Sequence, residues 1–407
     1  MFPTTLLTTL LLALCVAANP VLVDRSPVSL PLSRRVNLTS IDNLLRHDQA
    51  RAKALKLRGA ANTAGLVPAI NEPVQQSQAV TYIASVGVGS PATSYNLLID
   101  TGSSNTWLGA DKAYVKTKTS TKTSNSVSVS YGSGSFSGTE YTDQVSFGSG
   151  LTISKQSIGV ASKATGFEGV DGILGIGPVD LTQGTLSPSG STIPTVTDNL
   201  FSQGTISSNS IGISFQPTQN GNEVNGELSW GGVDNSKFTG SITLIPITGT
   251  SPASAYWGID QSITYGSTTI LSNTAGIVDT GTTLILIATN AFNKYKSSTG
   301  ATLDSTTGLL TIPSAKFSSL QSLFFHAGGS TFELTANAQI WPRSLNADIG
   351  GSSGKIYLVT GDLGSNSGEG LDFINGYSFL ERFYSVFDTE NQQVGLATTP
   401  FTKATTN

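Results

Sequence analysis

Asp-Thr-Gly occurs twice in this chain, as Asp100-Thr101-Gly102 and Asp279-Thr280-Gly281, and no other feature narrows the possible folds as much. The first copy follows Asn96-Leu97-Leu98-Ile99 and precedes Ser103-Ser104; the second follows Gly276-Ile277-Val278 and precedes Thr282-Thr283. A single such turn needs no special role, because Asp bonds nearby backbone and Gly accepts a left-handed conformation in ordinary turns. Two copies with matching apolar approaches predict two related lobes that each deliver one carboxyl group to a shared site. The repeat extends further, since Gly172-Ile173-Leu174-Gly175 follows the first copy and Phe373-Ile374-Asn375-Gly376 the second. With 407 residues, 38% of them hydrophobic, the chain can bury a large core and is long enough for two domains.

Beyond the first fifth of the chain, apolar runs of about 5 to 8 residues alternate with Gly, Ser, Thr, Asn and Pro turns. Tyr82-Ile83-Ala84-Ser85-Val86-Gly87-Val88 and Ser241-Ile242-Thr243-Leu244-Ile245-Pro246-Ile247 are typical. The pattern predicts a mainly β protein, with brief helical spacing only at Val196-Leu200-Phe201, Ala291-Phe292-Tyr295 and Phe317-Leu320-Leu323. The Ser/Thr-rich stretch from Thr117 to Ser128 reads as an exposed loop or edge hairpin, because strand signals resume directly after it. Gly172-Ile173-Leu174-Gly175-Ile176-Gly177 superficially matches a dinucleotide loop, but Pro178 follows and no helix pattern opens, so that reading is set aside.

Composition removes several chemistries. Residues 1 to 18 carry no charged side chain, run through a leucine-rich stretch and end on Ala17 and Ala18, which fits a secretory signal peptide and predicts a secreted, extracellular protein. The one cysteine, Cys15, lies in that leader, so the processed chain is expected to have no disulfide, no thiol nucleophile and no thiolate metal site. His47 precedes the body and His326 follows an apolar run, so a hydrolase built here must work with carboxylates. No later stretch approaches the roughly 20 apolar residues of a membrane span. Residues 60 to 407 hold fourteen Lys/Arg against twenty-three Asp/Glu, a balance that argues against nucleic acid as a partner.

Taken in order, these motifs resemble those of the pepsin family over nearly all of residues 60 to 407. The resemblance implies a bilobal pepsin-like fold, an N-terminal lobe over residues 60 to 245 and a C-terminal lobe over 246 to 407, with the active-site cleft between them. It implies a secreted aspartic endopeptidase that acts as a monomer on protein or peptide substrates without cofactor or metal, with Asp100 and Asp279 as the catalytic pair. Thr101 and Thr280 resemble the hydroxyl pair that ties the two loops together, and Ser103 and Thr282 occupy the positions whose hydroxyls bond the outer carboxylate oxygens. Gly102 and Gly281 let backbone approach the carboxylates. Tyr131-Gly132-Ser133-Gly134 resembles the flap, a hairpin tip that closes over bound peptide, with Tyr131 expected to hydrogen-bond Trp107. Ser133 at the flap and Ile277 as a candidate pocket wall imply preference for apolar and aromatic residues at the cleavage site. The chain departs from the family at Ile374-Asn375-Gly376-Tyr377, where an apolar pair and Gly-Asp are usual; the packing behind Asp279 depends on what Asn375 does.

Peptide hydrolysis needs a water made nucleophilic and a proton for the carbonyl oxygen and then the leaving nitrogen, and one ionised with one protonated carboxyl can together supply both. At about 3 Å separation and an effective dielectric of about 20, two carboxylates repel by roughly 5 kcal/mol, about four pKa units, so the pair shares one proton. Aspartic proteases are the reference case for this splitting, so the number is a consistency check. Acid activity is expected. Residues 19 to 59 carry eight Lys/Arg and three Asp/Glu, and Ile41, Leu44, Leu45 and later Leu55 have helical spacing there. This segment reads either as a solvated helix or as a basic pro-segment, ending between residue 59 and about 77, held on an acidic cleft with Lys53, Lys56 and Arg58 as candidate contacts. The one glycosylation sequon, Asn37-Leu38-Thr39, falls within it. The rival classes are a pepsin-like binding protein without chemistry and a carboxylate-pair glycosidase.

Overall fold

The computed structural model describes residues 27–36, 44–64, 80–132, 134–148 and 150–407. The proposed leader, Cys15, the sequon and Ser133 lie outside the described residues.

Each Asp-Thr-Gly turn ends a buried strand that is threaded into its neighbours in the same way. In the first half, Thr93–Asp100 pairs antiparallel with Val80–Val88 and parallel with Gly172–Gly175, which places Asp100 opposite Gly175. Thr106–Leu108, the segment leaving the turn, runs antiparallel on the other side of Gly172–Gly175. In the second half, Thr268–Val278 pairs parallel with Phe373–Asn375, which pairs antiparallel with Ile285–Ile287, so Asn375 faces both Val278 and Ile285. A strand from far along the chain is thus wedged between the approach to each turn and its exit. Strands covered on both faces read as continuous apolar runs, which is why Leu97-Leu98-Ile99 and Ile277-Val278 show no alternation. The wedge requires glycine: a Cβ on Gly172 would lie 2.0 Å from the Trp107 carbonyl oxygen, and one on Gly276 would lie 2.4 Å from that of Phe373.

Among the described residues a 14-stranded sheet, a 7-stranded sheet and a 3-stranded sheet make up the β structure. The largest crosses residue 245: the late hairpin Phe383–Asp388 and Gln393–Thr398 pairs with Ser210–Phe215 on one side and Thr239–Pro246 on the other. Ile211 opposite Phe387 therefore ties the chain's early and late halves. The Ser/Thr-rich stretch forms a hairpin, Thr121–Ser130 against Ser135–Ser146. Two expected helices form at Val196–Ser202, under a Thr195/Asp198 capping box, and at Thr289–Thr299, closed by left-handed Gly300. The third differs. Only Ser314–Phe317 is helical, and Leu323–Ala327 is a strand with Leu323, Phe325 and Ala327 buried on one face. Partners on both sides, Gly258–Tyr265 and Ser330–Leu334, override the three-residue spacing that suggested a helix.

The basic segment contributes two elements. Val28–Val36 inserts between Glu223–Trp230 and Val80–Val88 in the large sheet. Leu44–Thr63 is a helix, with residues 59 and 60 both inside it. It is not a solvated helix, because Leu44, Leu45, His47, Asp48, Arg51, Ala52, Ala54, Leu55, Arg58 and Gly59 are all buried. A helix lying on one surface buries one stripe; this one is covered on several sides because it lies between the two halves.

Candidate active site

The two turns meet in pseudo-symmetric fashion. Thr101 N donates to Thr280 Oγ1 at 3.0 Å and Thr280 N to Thr101 Oγ1 at 2.9 Å. Each hydroxyl then donates across the junction to the strand leading into the other turn, Thr101 to the Val278 carbonyl at 3.2 Å and Thr280 to that of Ile99 at 3.0 Å. Every bond has a counterpart in the opposite half, so neither loop can shift without breaking contacts to both.

Within each turn the carboxylate is held by its own loop. Ser103 Oγ donates to Asp100 Oδ2 at 2.5 Å and Gly102 N to Oδ1 at 2.9 Å; Thr282 Oγ1 donates to Asp279 Oδ2 at 2.5 Å and Gly281 N to Oδ1 at 3.1 Å. Both carboxylates are fully buried. The glycines leave room for the facing group: a Cβ on Gly102 would lie 2.6 Å from Asp279 Oδ1, and one on Gly281 would lie 2.7 Å from Asp100 Oδ1.

One guanidinium joins the pair. Arg51 Nη2 donates to Asp100 Oδ1 at 2.6 Å and to Asp279 Oδ1 at 2.9 Å, while Nε donates to Asp279 Oδ2 at 2.8 Å. Since both Oδ1 atoms bond one nitrogen, they are no farther apart than the sum of those bonds. Burial alone would lower the Arg51 pKa, but Asp100 and Asp279 outweigh it and hold the cation above the ordinary arginine value. Burial alone would raise Asp279, but Arg51 and the bonds from Thr282 and Gly281 hold its carboxyl below the usual aspartate value.

This corrects the candidate contacts named from sequence. Lys53 is exposed, Lys56 bonds Ser365 Oγ and pairs with Glu369 at 2.9 Å, and Arg58 donates to the Leu181 carbonyl. A signal for Arg51 was present in the spacing. Leu44, Asp48, Arg51, Leu55 and Arg58 recur at intervals of four and three, which is one helical face. Lys53 and Lys56 lie off that face.

The same face anchors the helix along the cleft. Asp48 Oδ2 accepts Thr283 N at 3.1 Å and Leu284 N at 2.8 Å, just past the second turn. Tyr256 OH donates to the Leu55 carbonyl at 2.8 Å. The flap tip rests on the helix, where a Cβ on Gly132 would lie 2.5 Å from Ala54 Cβ and 2.6 Å from the Ala50 carbonyl oxygen. Gly134 carbonyl accepts Tyr131 N at 2.8 Å, closing the tip. The expected Tyr131–Trp107 contact falls outside ordinary hydrogen-bond geometry, although the indole N–H lies close enough to the hydroxyl to oppose the rise that burial imposes on the Tyr131 pKa. The two rings stack at 6.4 Å between centroids, both also against Phe167, and neither the hydroxyl nor the indole Nε1 bonds another protein atom. Ile277 offers no open wall here; it is fully buried between its strand partners Gly258 and Ile374.

Asn375, where the sequence departs from the family, has a partner that the sequence did not reveal. Its Nδ2 donates to Gln261 Oε1 at 3.0 Å, and Gln261 Nε2 donates back to Asn375 Oδ1 at 3.1 Å. The Asn375 carbonyl accepts Asp279 N at 3.1 Å, so this buried amide pair supports the second turn from behind. His326 lies away from the turns, bonding Thr264 and Thr331 on its sheet.

Two threaded halves, mutually bonded threonines and paired buried carboxylates define an aspartic protease. The sequence profile described as "Eukaryotic aspartyl protease" matches residues 81–399, and the chain belongs to that family, the pepsin-like endopeptidases. Polyporopepsin of Irpex lacteus is 69% identical over 346 residues, covering 84% of this chain and all of that protein. Rhizopuspepsin-1 of Rhizopus niveus is 33% identical over 415 residues, covering 95% of this chain and 98% of the relative. A crystal structure of aspartic proteinase from Irpex lacteus superposes with a TM-score of 0.81 at 61% identity, covering 94% of this chain and all of that one.

Proposed function

We propose that this aspartic endopeptidase is secreted as a latent precursor and hydrolyses peptide bonds in acid through a water held between Asp100 and Asp279. The observation that carries the reading is the convergence of both buried carboxylates on one guanidinium, a geometry in which they cannot both stay ionised once the cation leaves. In the proposed mechanism Arg51 occupies the place of the reacting groups. When it departs, the pair takes up one proton; the ionised member accepts a proton from water as it attacks the carbonyl carbon while the protonated member gives its own to the carbonyl oxygen. The proton taken from water then passes to the leaving nitrogen as the C–N bond breaks and the new hydroxyl returns its proton to the second carboxylate. Ser103, Thr282, Gly102 and Gly281 hold the carboxylates in place, and the flap from Tyr131 to Gly134 closes over substrate and excludes water. Leu45, Ala54 and Leu55 of the helix, buried within the cleft, support a preference for apolar or aromatic residues beside the cleaved bond.

In this reading the strand Val28–Val36 and the helix Leu44–Thr63 are the inhibitory pro-segment, and the leader directs export. The deciding experiment is acid digestion of a denatured protein by mature wild type and by Asp100→Asn, with fragment ends sequenced. Wild type should cut beside apolar and aromatic residues, and Asp100→Asn should lose at least about 10²-fold, the smaller share ascribed to general acid and base catalysis. Undiminished digestion by the variant would remove Asp100 from the mechanism.

A further inference from the structure

Arg58 is a second helix cation buried in the cleft, seated away from the two aspartates. Its guanidinium Nη2 donates to the Leu181 carbonyl, and the side chain is 7% exposed. Ser128, Val129 and Ser130 at the base of the flap and Gln183, Gly184 and Thr185 on the facing loop surround it, leaving a cavity of about 40 Å³. The seat offers a backbone carbonyl, hydroxyls and an amide. Five N–H donors in a planar fork suit several neutral acceptors of this kind better than an ammonium, which is a compact and strongly hydrated charge.

We propose that, once the helix has left, this seat is a substrate subsite for an arginine side chain. The inference rests on the reading that residues 44–63 vacate the cleft. The register follows from chain geometry. Arg51 marks the scissile position, and the seven helical residues from Arg51 to Arg58 rise about 10 Å at ~1.5 Å each. An extended peptide covers that distance in about three residues at ~3.3 Å each. The arginine therefore belongs about three residues from the cleaved bond, on the side of the cleft bounded by Leu181 and Tyr256. An apolar side chain in the same seat leaves the Leu181 carbonyl without its donor, which carries a desolvation penalty.

The test uses mature enzyme and internally quenched peptides that share one apolar scissile pair. Arginine, lysine, citrulline or norleucine is placed two, three or four residues to either side of the bond. Arginine should exceed norleucine about tenfold in kcat/KM, chiefly through KM, at one position near the third residue on one side only, about the worth of one charge-assisted hydrogen bond. Gln183→Lys should bring that ratio to within about twofold and Gln183→Glu should enlarge it. Equal cleavage of the arginine and norleucine peptides at every position would overturn the subsite alone. An arginine preference that Gln183→Lys leaves intact would place the cation elsewhere and overturn the assignment. Failure to cut any peptide would remove the proposed function, and this inference with it.

Discussion

Replacing Arg51 with Met keeps an unbranched stem in the same place and removes the guanidinium with its charge, so it isolates the lock on the aspartates. Three buried bonds disappear, at 2.6, 2.8 and 2.9 Å, and two carboxylates lose their counter-ion. Removing one partner of a buried ion pair costs about 3 to 5 kcal/mol, roughly two to three and a half orders of magnitude in the ratio of closed to open precursor. The carboxylates can recover part of this by sharing a proton, which places the expectation near the lower end, about 10²-fold. The measurement is the initial rate at which precursor cuts a quenched peptide, divided by the rate of mature enzyme at the same pH and read before the chain is processed. That ratio should rise about 100-fold in Arg51→Met. Arg51→Lys should fall between, because one ammonium cannot reproduce the bidentate contact with Asp279. Should Arg51→Met be as latent as the unmodified precursor, the guanidinium is not what holds the cleft shut.

Two other buried carboxyls make pH-dependent predictions. Burial pushes Glu140 up to about 7, against a bond from Ser157, so its stabilising contribution is present below the ordinary glutamate value and lost as pH rises through about 7. The loss amounts to about 3 kcal/mol at ~1.36 kcal/mol per unit; Glu140→Gln should match wild type in Tm near pH 5 and exceed it near pH 8, and a constant difference would refute this. Burial also raises Glu381, while the neighbouring Arg34 and Arg382 oppose it; Arg34 Nε lies 3.4 Å from its Oε1 and the Tyr82 hydroxyl donates to the same oxygen at 3.2 Å. Glu381 therefore stays above the ordinary glutamate value with the strand in place, so its contribution is present below that value and lost as pH rises through the raised one. Glu381→Gln removes the counter-charge of Arg34 and should weaken the strand's hold above that raised value, moving the pH midpoint of precursor conversion upward; an unmoved midpoint would count against the contact.

The duplicated Asp-Thr-Gly turns, their apolar approaches and the glycines behind them determined the plan of two similar halves and the pairing of Asp100 with Asp279, because backbone sterics and continuous burial act over a few neighbouring residues. The basic segment's role as a helix was equally legible in the spacing of its leucines. Tertiary structure alone decided which of its cations meets the aspartates: local charge density favoured Lys53, Lys56 and Arg58, whereas the face shared with Leu44 and Leu55 carries Arg51 into the site. It also decided that Leu323–Ala327 is a strand, that Asn375 exchanges amide bonds with Gln261 and that Phe383–Thr398 joins the sheet of the first half. These outcomes depend on partners more than 60 residues away or on neighbouring strands, and a hydrogen-bond donor carries no mark in the sequence of the acceptor the fold will bring to it.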